Sequence, residues 1–294
     1  MKKNSPKNFA SIGLIGGSGV YEIDGIQNLR EVKIKTPFGN PSDAIMLGTL
    51  EDVPMAFLPR HGRGHVLLPS EINSRANIWA LKSLGVEQII SVSACGSLKE
   101  ELPPRTLVIP DQLFDRPHSR PGFTFYGNGV VGHTSMAKPY CTELSDRVFQ
   151  AGTEMKLPIH KGGTFVIMEG PTFSTKAESQ VWRGLGFSII GMTNLPESKL
   201  AREAEICYTT IALVTDYDVW KEGEEVSVEK VLATIHDNVA NVKNLIKNCV
   251  GKLARKRTCE CATAAQFAVQ THPAHRNKQT MKKLDIILGK YLKK

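Results

Sequence analysis

The chain alternates short apolar runs with longer segments of helical periodicity, and this alternation constrains the fold more than any other feature. Seven runs rich in β-branched residues predict strands, at 11–15, 55–58, 88–92, 106–109, 164–168, 187–190 and 208–215. Apolar residues at helical spacing predict helices at 71–84, 143–155, 175–185, 196–204 and 226–250. Because strands and helices alternate, we expect a single α/β domain with a central mixed β-sheet flanked by helices.

The positive charge of the chain is concentrated near its C-terminal end. The 294 residues carry a net charge of +8, yet residues 251–294 alone hold eleven Lys or Arg against two acidic residues, a net charge of +9. We therefore expect residues 9–250 to form the α/β domain and residues 251–294 to form a basic tail with a short helix at 282–292. Such a tail favours nucleic acid as a partner. Its aromatic residues, Phe267 and Tyr291, are few for stacking on bases, so nucleic-acid binding is the weaker hypothesis.

Neither a membrane segment nor a disulfide framework is expected. No stretch of this sequence approaches the roughly 18 uninterrupted apolar residues that a membrane span needs. The N-terminal segment lacks the apolar core of a signal peptide. Six cysteines are too few and too scattered for a disulfide-built fold, so reduced thiols are expected. These features predict a cytoplasmic protein without a membrane partner.

Three predicted strands end in residues suited to an anion. The first runs into IGGSG, where Ser18 adds a hydroxyl to the N–H groups of the glycines. The second runs into PRHGRGH, which presents Arg60 and His61, and the third holds Ser93 in SVSACGS. The alternatives are a plain turn, a solvated basic loop or a metal site at the histidines, although no Cys or carboxylate lies at ligand spacing from His61. Cys95 is more typical of a small packing residue than of a reactive thiol.

Two further strand ends are suited to a nitrogen heterocycle. The turn EGPTFS presents Phe173 as an aromatic face and Ser174 as a hydroxyl. In TDYD, Asp216 and Asp218 are two residues apart, so both carboxylates point to one face if the strand continues. Paired carboxylates suit proton transfer or recognition of N–H donors, while core packing of Phe173 and helix capping by the aspartates are the alternatives. Open α/β sheets bind ligands beyond the carboxyl ends of their strands, so the five clusters predict one ligand with an anion at one end and a heterocycle at the other.

The motifs, taken together and in order, resemble the nucleoside phosphorylases, and within them the group that acts on 5′-methylthioadenosine. The matching segments, between Ile12 and about Val250, are IGGSG, TPFGNPSD, PRHGRGH, INSRANIWALKSLG, ACGSL, VIPDQLFDR, MEGPTFSTKAES, GMTNLPE, AREAEICY and TDYDVW. The resemblance implies phosphorolysis of 5′-methylthioadenosine to adenine and 5-methylthioribose 1-phosphate. The alternative is phosphorolysis of 6-oxopurine nucleosides or of methylthioinosine.

The resemblance also implies a role for individual residues. It assigns phosphate binding to five positions: Ser18, Arg60, His61, Ser93 and Ala94. It assigns substrate binding to Phe173, Ser174, Met192, Thr193, Asp216 and Asp218, with His133 supplied by a neighbouring subunit. Asp216 is implied as the general acid that protonates N7 of the leaving base. Asp218 is implied as the acceptor for the 6-amino group.

The same resemblance bears on assembly, cofactors and cysteines. It implies a homo-oligomer, either a trimer or a hexamer, with inorganic phosphate as co-substrate and with no cofactor and no metal. Some thermophilic relatives use a Cys-x-Cys pair such as Cys259 and Cys261 in disulfides, and Cys141 could likewise pair with Cys207. Reduced cysteines remain the expectation.

Overall fold

The computed structural model describes residues 9–17, 23–117, 120–224, 228–253 and 257–292. Eleven strands form one sheet. The strands are β1 Ile12–Gly16, β2 Gln27–Val32, β3 Ile45–Leu50, β4 Val53–Pro59, β5 Gln88–Ser97, β6 Leu107–Ile109, β7 Gln112–Asp115, β8 Ile159–Lys161, β9 Thr164–Ile167, β10 Ile189–Gly191 and β11 Cys207–Asp216. The helices are α1 Ser74–Ser83, α2 Thr142–Glu154, α3 Lys176–Gly184, α4 Asn194–Glu203, α5 Val228–Leu253, α6 Lys278–Lys283 and α7 Asp285–Leu292, with 3-10 turns at Glu260–Thr263 and Pro273–His275.

Four parallel strands form the centre of the sheet, in the order β4, β1, β5 and β11. Their side chains are almost all buried, as expected of parallel strands covered on both faces. Because these strands are parallel, the residues that follow β4 and β11 lie at the same edge of the sheet as the second half of β5. The candidate site residues are located at this edge.

Antiparallel pairs make the sheet mixed, as predicted. Strands β2 and β3 extend it beyond β4, β6 pairs antiparallel with β11, and β10 runs antiparallel to the end of β5. In the β10 pairing, Ile190 lies opposite Gly96, so the chain after β10 approaches the middle of β5. The predicted single α/β domain with a central mixed sheet flanked by helices is confirmed.

The helices form a layer on each face of the sheet. One core cluster joins α1, α4 and α7 to the sheet, and a second joins α2 and α5 to its other face. Local capping defines several helix starts: the Asn73 side chain accepts a hydrogen bond from the first turn of α1, and Thr175 and Glu178 form a reciprocal capping box at α3. No helix among the described residues is long and apolar enough to cross a membrane.

The C-terminal segment packs against the domain and differs in this respect from the separate tail expected of it. Helix α5 runs past the expected boundary at residue 250 to Leu253, and the short helix expected at 282–292 is divided between α6 and α7. Leu284, Ile287 and Leu288 are fully buried in the same core cluster as α1. The Tyr291 hydroxyl donates to Glu205 over 2.6 Å. The apolar face of α7 stabilises this packing. That face is difficult to recognise in the sequence because the segment is highly charged.

Candidate active site

The candidate site lies beside the second half of β5. Ser93 and Cys95 are buried, but Ala94 between them is exposed. Met192 and Thr193 follow β10 directly and are half-buried. A Cβ at Gly191 would lie 3.4 Å from the Ala94 carbonyl oxygen, so the end of β10 is in contact with this part of β5.

Asp216 and Asp218 lie together at the end of β11. The strand ends at Asp216, and Asp218 adopts a left-handed conformation with φ of 52°, so the strand does not continue through both residues. The backbone N–H of Asp218 donates to Oδ1 of Asp216 over 2.7 Å. The two carboxylates are therefore brought together by a turn and not by the alternation of a strand. Gly96 makes room for this turn, because a Cβ there would lie 3.0 Å from Asp216 Oδ1 and 3.3 Å from Asp218 Cα.

The pKa values of both carboxyls are raised. Burial raises the pKa of Asp216, and the nearby Asp218 charge adds to the rise. Burial also raises the pKa of Asp218, although the hydroxyls of Ser179 and Ser174 oppose the rise. Oδ2 of Asp218 is buried and makes no hydrogen bond with any residue that the structure describes. This end of the site thus offers a protonatable carboxyl and a free carboxylate oxygen.

The hydroxyl of Thr215 connects Asp216 to the backbone. It lies 2.6 Å from Oδ2 of Asp216 and 3.1 Å from the carbonyl oxygen of Cys95. A hydroxyl carries one hydrogen, and a carbonyl oxygen only accepts. When Thr215 donates to Asp216 it lowers the pKa of that carboxyl, and when it donates to Cys95 it does not. The geometry is therefore compatible with a protonated Asp216.

Arg60 is positioned by a buried ion pair. Its side chain is 2% exposed, and Nε donates to Oε1 of Glu197 over 2.5 Å. Nη2 donates to Ser91 Oγ over 2.6 Å and to Glu197, and Nη1 donates to the Val92 carbonyl over 2.8 Å. A guanidinium has five N–H donors, so these contacts leave one on Nη1 for a ligand.

Glu197 and Tyr208 are residues of this site that the sequence analysis did not identify. Glu197 is fully buried on α4, and the Tyr208 hydroxyl donates to its Oε2 over 3.0 Å. The signal available in the sequence was weak, because Glu197 ends the GMTNLPE segment and Tyr208 begins an apolar strand. Only the fold brings Glu197 against Arg60, which is 137 residues away.

His61 is neutral at pH 7. Burial, together with the neighbouring Arg60, His65 and Arg120, lowers its pKa to about 4, against the opposing Leu67 carbonyl. Nδ1 lies 2.8 Å from the Leu67 carbonyl oxygen and donates to it, since a carbonyl cannot donate. The His61 ring stacks on that of His65 with 4.3 Å between centroids.

The other predicted site residues differ in burial and in their contacts. Ser93 Oγ is buried and has no hydrogen-bond partner among the described residues. Met192 lies against the EGPTFS turn, since a Cβ at Gly170 would lie 2.7 Å from Met192 Sδ. Ser174 is buried, whereas Phe173 is 53% exposed and does not close the core. Ser18 lies outside the described residues.

The loop between β7 and α2 covers one side of the site. Arg120 is buried there and donates to the carbonyls of Leu195, Met168 and Glu169 over 2.5 to 2.8 Å. It thus ties this loop to the segments after β9 and β10. His133, farther along the loop, is exposed, and its N–H donates to the Ala268 carbonyl. The structure therefore does not bring the His133 side chain to the site within one subunit.

The described residues also include a cluster that could bind a metal. Among the described residues, the group of side chains with metal-ligand geometry consists of four cysteines away from this site, and neither His61 nor His65 belongs to it. Cys95, beside the site, is buried, and burial raises the pKa of its thiol well above the ordinary value. The interpretation of Cys95 as a packing residue is confirmed.

The sequence pattern of the phosphorylase superfamily matches residues 11–251, which include every described site residue. The chain belongs to this superfamily. A protein of Geobacter sulfurreducens named S-methyl-5′-thioadenosine phosphorylase is 52% identical over 96% of this chain and 99% of its own length. A protein of the same name from Koribacter versatilis is 50% identical over 96% of this chain and 97% of its own length.

Solved structures of the phosphorylase superfamily share the fold of this chain. A methylthioadenosine phosphorylase from an antarctic soil metagenomic library has a TM-score of 0.91 and 46% identity, and the match covers 96% of this chain and 100% of that one. A methylthioadenosine phosphorylase from Schistosoma mansoni, solved in complex with adenine, has a TM-score of 0.82 and 36% identity over 89% of this chain and 99% of that one. The predicted resemblance to nucleoside phosphorylases is confirmed.

Proposed function

We propose that the chain cleaves 5′-methylthioadenosine with inorganic phosphate to give adenine and 5-methylthioribose 1-phosphate. The main support for this proposal is the buried pair of Asp216 and Asp218, which combines a proton donor with a free acceptor at the end of β11. The names of the relatives and the adenine in the Schistosoma mansoni structure support the choice of a purine nucleoside. The bond from phosphate oxygen to C1′ forms while the bond from C1′ to N9 of the base breaks.

Asp216 acts as the general acid in this reaction. As the glycosidic bond stretches, its electrons move onto the purine, and a proton delivered to N7 stabilises the leaving base. A carboxyl serves this purpose only if it is protonated near neutral pH, which the raised pKa of Asp216 favours. The Thr215 hydroxyl and the Asp218 N–H fix its orientation.

Asp218 distinguishes a 6-amino group from a 6-oxo group. Its buried Oδ2 accepts a hydrogen bond from the amino group of adenine, and it repels the carbonyl oxygen of hypoxanthine. The buried acceptor oxygen of Asp218 therefore favours methylthioadenosine over methylthioinosine as the substrate. Phe173 and Ser174 lie beside the base, and Met192 and Thr193 lie along the ribose.

Phosphate is proposed to bind to Ser93, Ala94, Arg60 and His61. Ser93 supplies its unpaired hydroxyl, Arg60 its remaining N–H donor, and Ala94 its exposed backbone. Neutral His61 donates from Nδ1 to Leu67, so its Nε2 accepts the hydroxyl proton of a monoprotonated phosphate. Ser18 is proposed to complete the site through its hydroxyl.

Separate subunits are proposed to associate into a trimer or hexamer through the surface near His133. Val131 is 51% exposed and Phe267 is 83% exposed, and backbone bonds join their two segments. In this assembly His133 reaches the methylthio end of a neighbouring site. Mass photometry tests this proposal: a mass three or six times that of the chain is expected, and a monomer with full activity contradicts it. The predicted cytoplasmic location remains a proposal.

Product analysis with two nucleosides tests the proposed reaction. The enzyme is incubated with phosphate and either 5′-methylthioadenosine or 5′-methylthioinosine, and the released base is measured by liquid chromatography. We expect adenine release to be the faster by at least about tenfold, because a buried acceptor rejects the oxo group. Faster release of hypoxanthine would support the alternative 6-oxopurine activity, and no release from either nucleoside contradicts both.

A further inference from the structure

Four cysteine sulfurs meet on the side of the molecule away from the candidate active site. Cys141, Cys207, Cys259 and Cys261 each place Sγ within 4.8 Å of the other three. The Sγ atoms of Cys207 and Cys259 are 3.3 Å apart. Three of these residues are buried, and Cys259 is partly exposed. The remaining two cysteines, Cys95 and Cys249, do not belong to this group.

The separations match a tetrahedral metal centre. Zinc bonds to thiolate sulfur at about 2.3 Å, so four ligands around one zinc ion lie roughly 3.8 Å apart. With separations between 3.3 Å and 4.8 Å, small shifts reach this arrangement: the shortest separation widens and the longest contract. Four sulfur ligands in tetrahedral geometry are typical of zinc and of iron–sulfur centres.

Two arginine side chains lie beside the cluster. Nη1 of Arg202 donates to Cys261 Sγ over 3.5 Å, and Arg257 faces Cys207 and Cys259. Two guanidinium groups beside one cluster are suited to the double negative charge of a zinc ion bound by four thiolates.

We propose that Cys141, Cys207, Cys259 and Cys261 bind one structural zinc ion. On binding, four S–H bonds lose their protons to solvent and four S–Zn bonds form, with no electron transferred. Four protein ligands leave no open position on the metal, so the site stabilises structure and has no part in the reaction. The sequence did not indicate this site, because its ligands are divided among three distant segments.

The position of the ligands indicates what the zinc ion stabilises. Cys141 precedes α2 and Cys207 begins β11, so both belong to the domain, whereas Cys259 and Cys261 open the C-terminal segment. The metal would therefore fasten residues 257–292 to the domain close to where the segment begins. Binding at this point supplements the buried face of α7 at the other end of the segment.

Metal and thiol content of the full-length chain tests the proposal. The protein is purified without chelators and without a histidine tag, and zinc is measured by mass spectrometry. We expect about one zinc ion per chain, and six thiols per chain after denaturation in chelator without reductant. A deficit of two or four thiols indicates disulfides and overturns the proposal. Six thiols with no zinc, even after incubation with zinc and reductant, or iron in place of zinc also overturn it.

Paired variants assign the metal to these cysteines. Cys259→Ser is expected to lose the zinc, while Cys249→Ser keeps it, because Cys249 is a buried cysteine outside the cluster. Zinc-free Cys259→Ser is also expected to be cleaved between residues 250 and 262 by trypsin at least about tenfold faster than the control, since an opened segment is cut more readily. If Cys259→Ser does not fold, the zinc and thiol content of the unaltered chain still decides the question. Equal zinc content in the two variants contradicts the assignment.

Discussion

The backbone N–H of Asp218 donates to the carboxylate of Asp216 over 2.7 Å, and this contact fixes both residues at the end of β11. It depends on the left-handed conformation of Asp218 and on the absence of a side chain at Gly96. Burial raises the pKa of Asp216 against this contact, which by itself lowers it, and Oδ2 of Asp218 makes no hydrogen bond with a described residue. The proposed chemistry at the base follows from this turn.

Removing the acid at Asp216 tests its role. We expect Asp216→Asn to lower kcat by about 10² to 10⁴, because an amide cannot deliver a proton to N7. The amide still accepts from the Asp218 N–H, so the fold should persist and circular dichroism should be unchanged. A kcat within about threefold of the original enzyme would contradict the assignment.

Changing the acceptor at Asp218 tests base selection. Asp218→Asn places an amide where the free Oδ2 now lies, and an amide donates to a 6-oxo group. We expect the ratio of kcat/KM for methylthioadenosine to that for methylthioinosine to fall by at least about tenfold. Competition between the two nucleosides in one reaction measures this ratio directly. An unchanged ratio would assign adenine selection to other residues.

The buried ion pair between Glu197 and Arg60 predicts a large effect on stability. Glu197→Ala leaves a buried guanidinium without its partner, at a cost of about 3–5 kcal/mol in the free energy of unfolding. Tyr208→Phe is the control, since it removes only one hydrogen bond to the same carboxylate, at a cost of about 1 kcal/mol. Urea denaturation at one protein concentration compares the three proteins. Equal losses of unfolding free energy in both variants would show that the ion pair is not the main contribution of Glu197 to stability.

The lowered pKa of His61 predicts how stability depends on pH. Free histidine has a pKa of about 6.5, so between pH 6.5 and about 4 the unfolded chain binds a proton that folded His61 does not. Stability from neutral His61 is therefore complete above pH 6.5 and is lost as pH falls toward 4.

Substitution of His61 isolates this contribution. The free energy of unfolding of both proteins is measured at pH 7.5 and pH 4.5. We expect the decrease between these pH values to be smaller in His61→Gln than in the unaltered protein, by about 1–3 kcal/mol. Urea denaturation at the two pH values gives the difference. Identical losses in the two proteins would assign the acid sensitivity to other groups.

The strands and helices at the centre of the fold could be predicted because their apolar residues recur at clear periods. Runs at 11–15 and 208–215 correspond closely to β1 and β11, and the predicted helix at 143–155 corresponds to α2. Strand β2 could not be predicted, since most of its residues are polar and exposed, and it forms only by pairing with β3. The packing of the C-terminal segment was concealed for a related reason, because its charge masked the apolar face of α7.

The positions of candidate site residues could be predicted where each follows a predicted strand, as with Arg60 and Asp216. The contacts that orient these side chains and shift their pKa values could not be predicted. The pairing of Arg60 with Glu197 and the meeting of four cysteines join segments far apart in sequence, and only the folded chain brings them together. The turn at Asp218 was also not indicated, because alternation along a strand was the simpler expectation for residues two apart.

Phosphorus NMR of the complete reaction tests the central claim most directly. The enzyme is mixed with 5′-methylthioadenosine and inorganic phosphate, and the phosphate signal is followed alongside adenine release. The proposed reaction predicts a new sugar phosphate signal that grows in equal molar amount with adenine while inorganic phosphate declines. Adenine released without consumption of phosphate would identify a hydrolase and contradict the proposal.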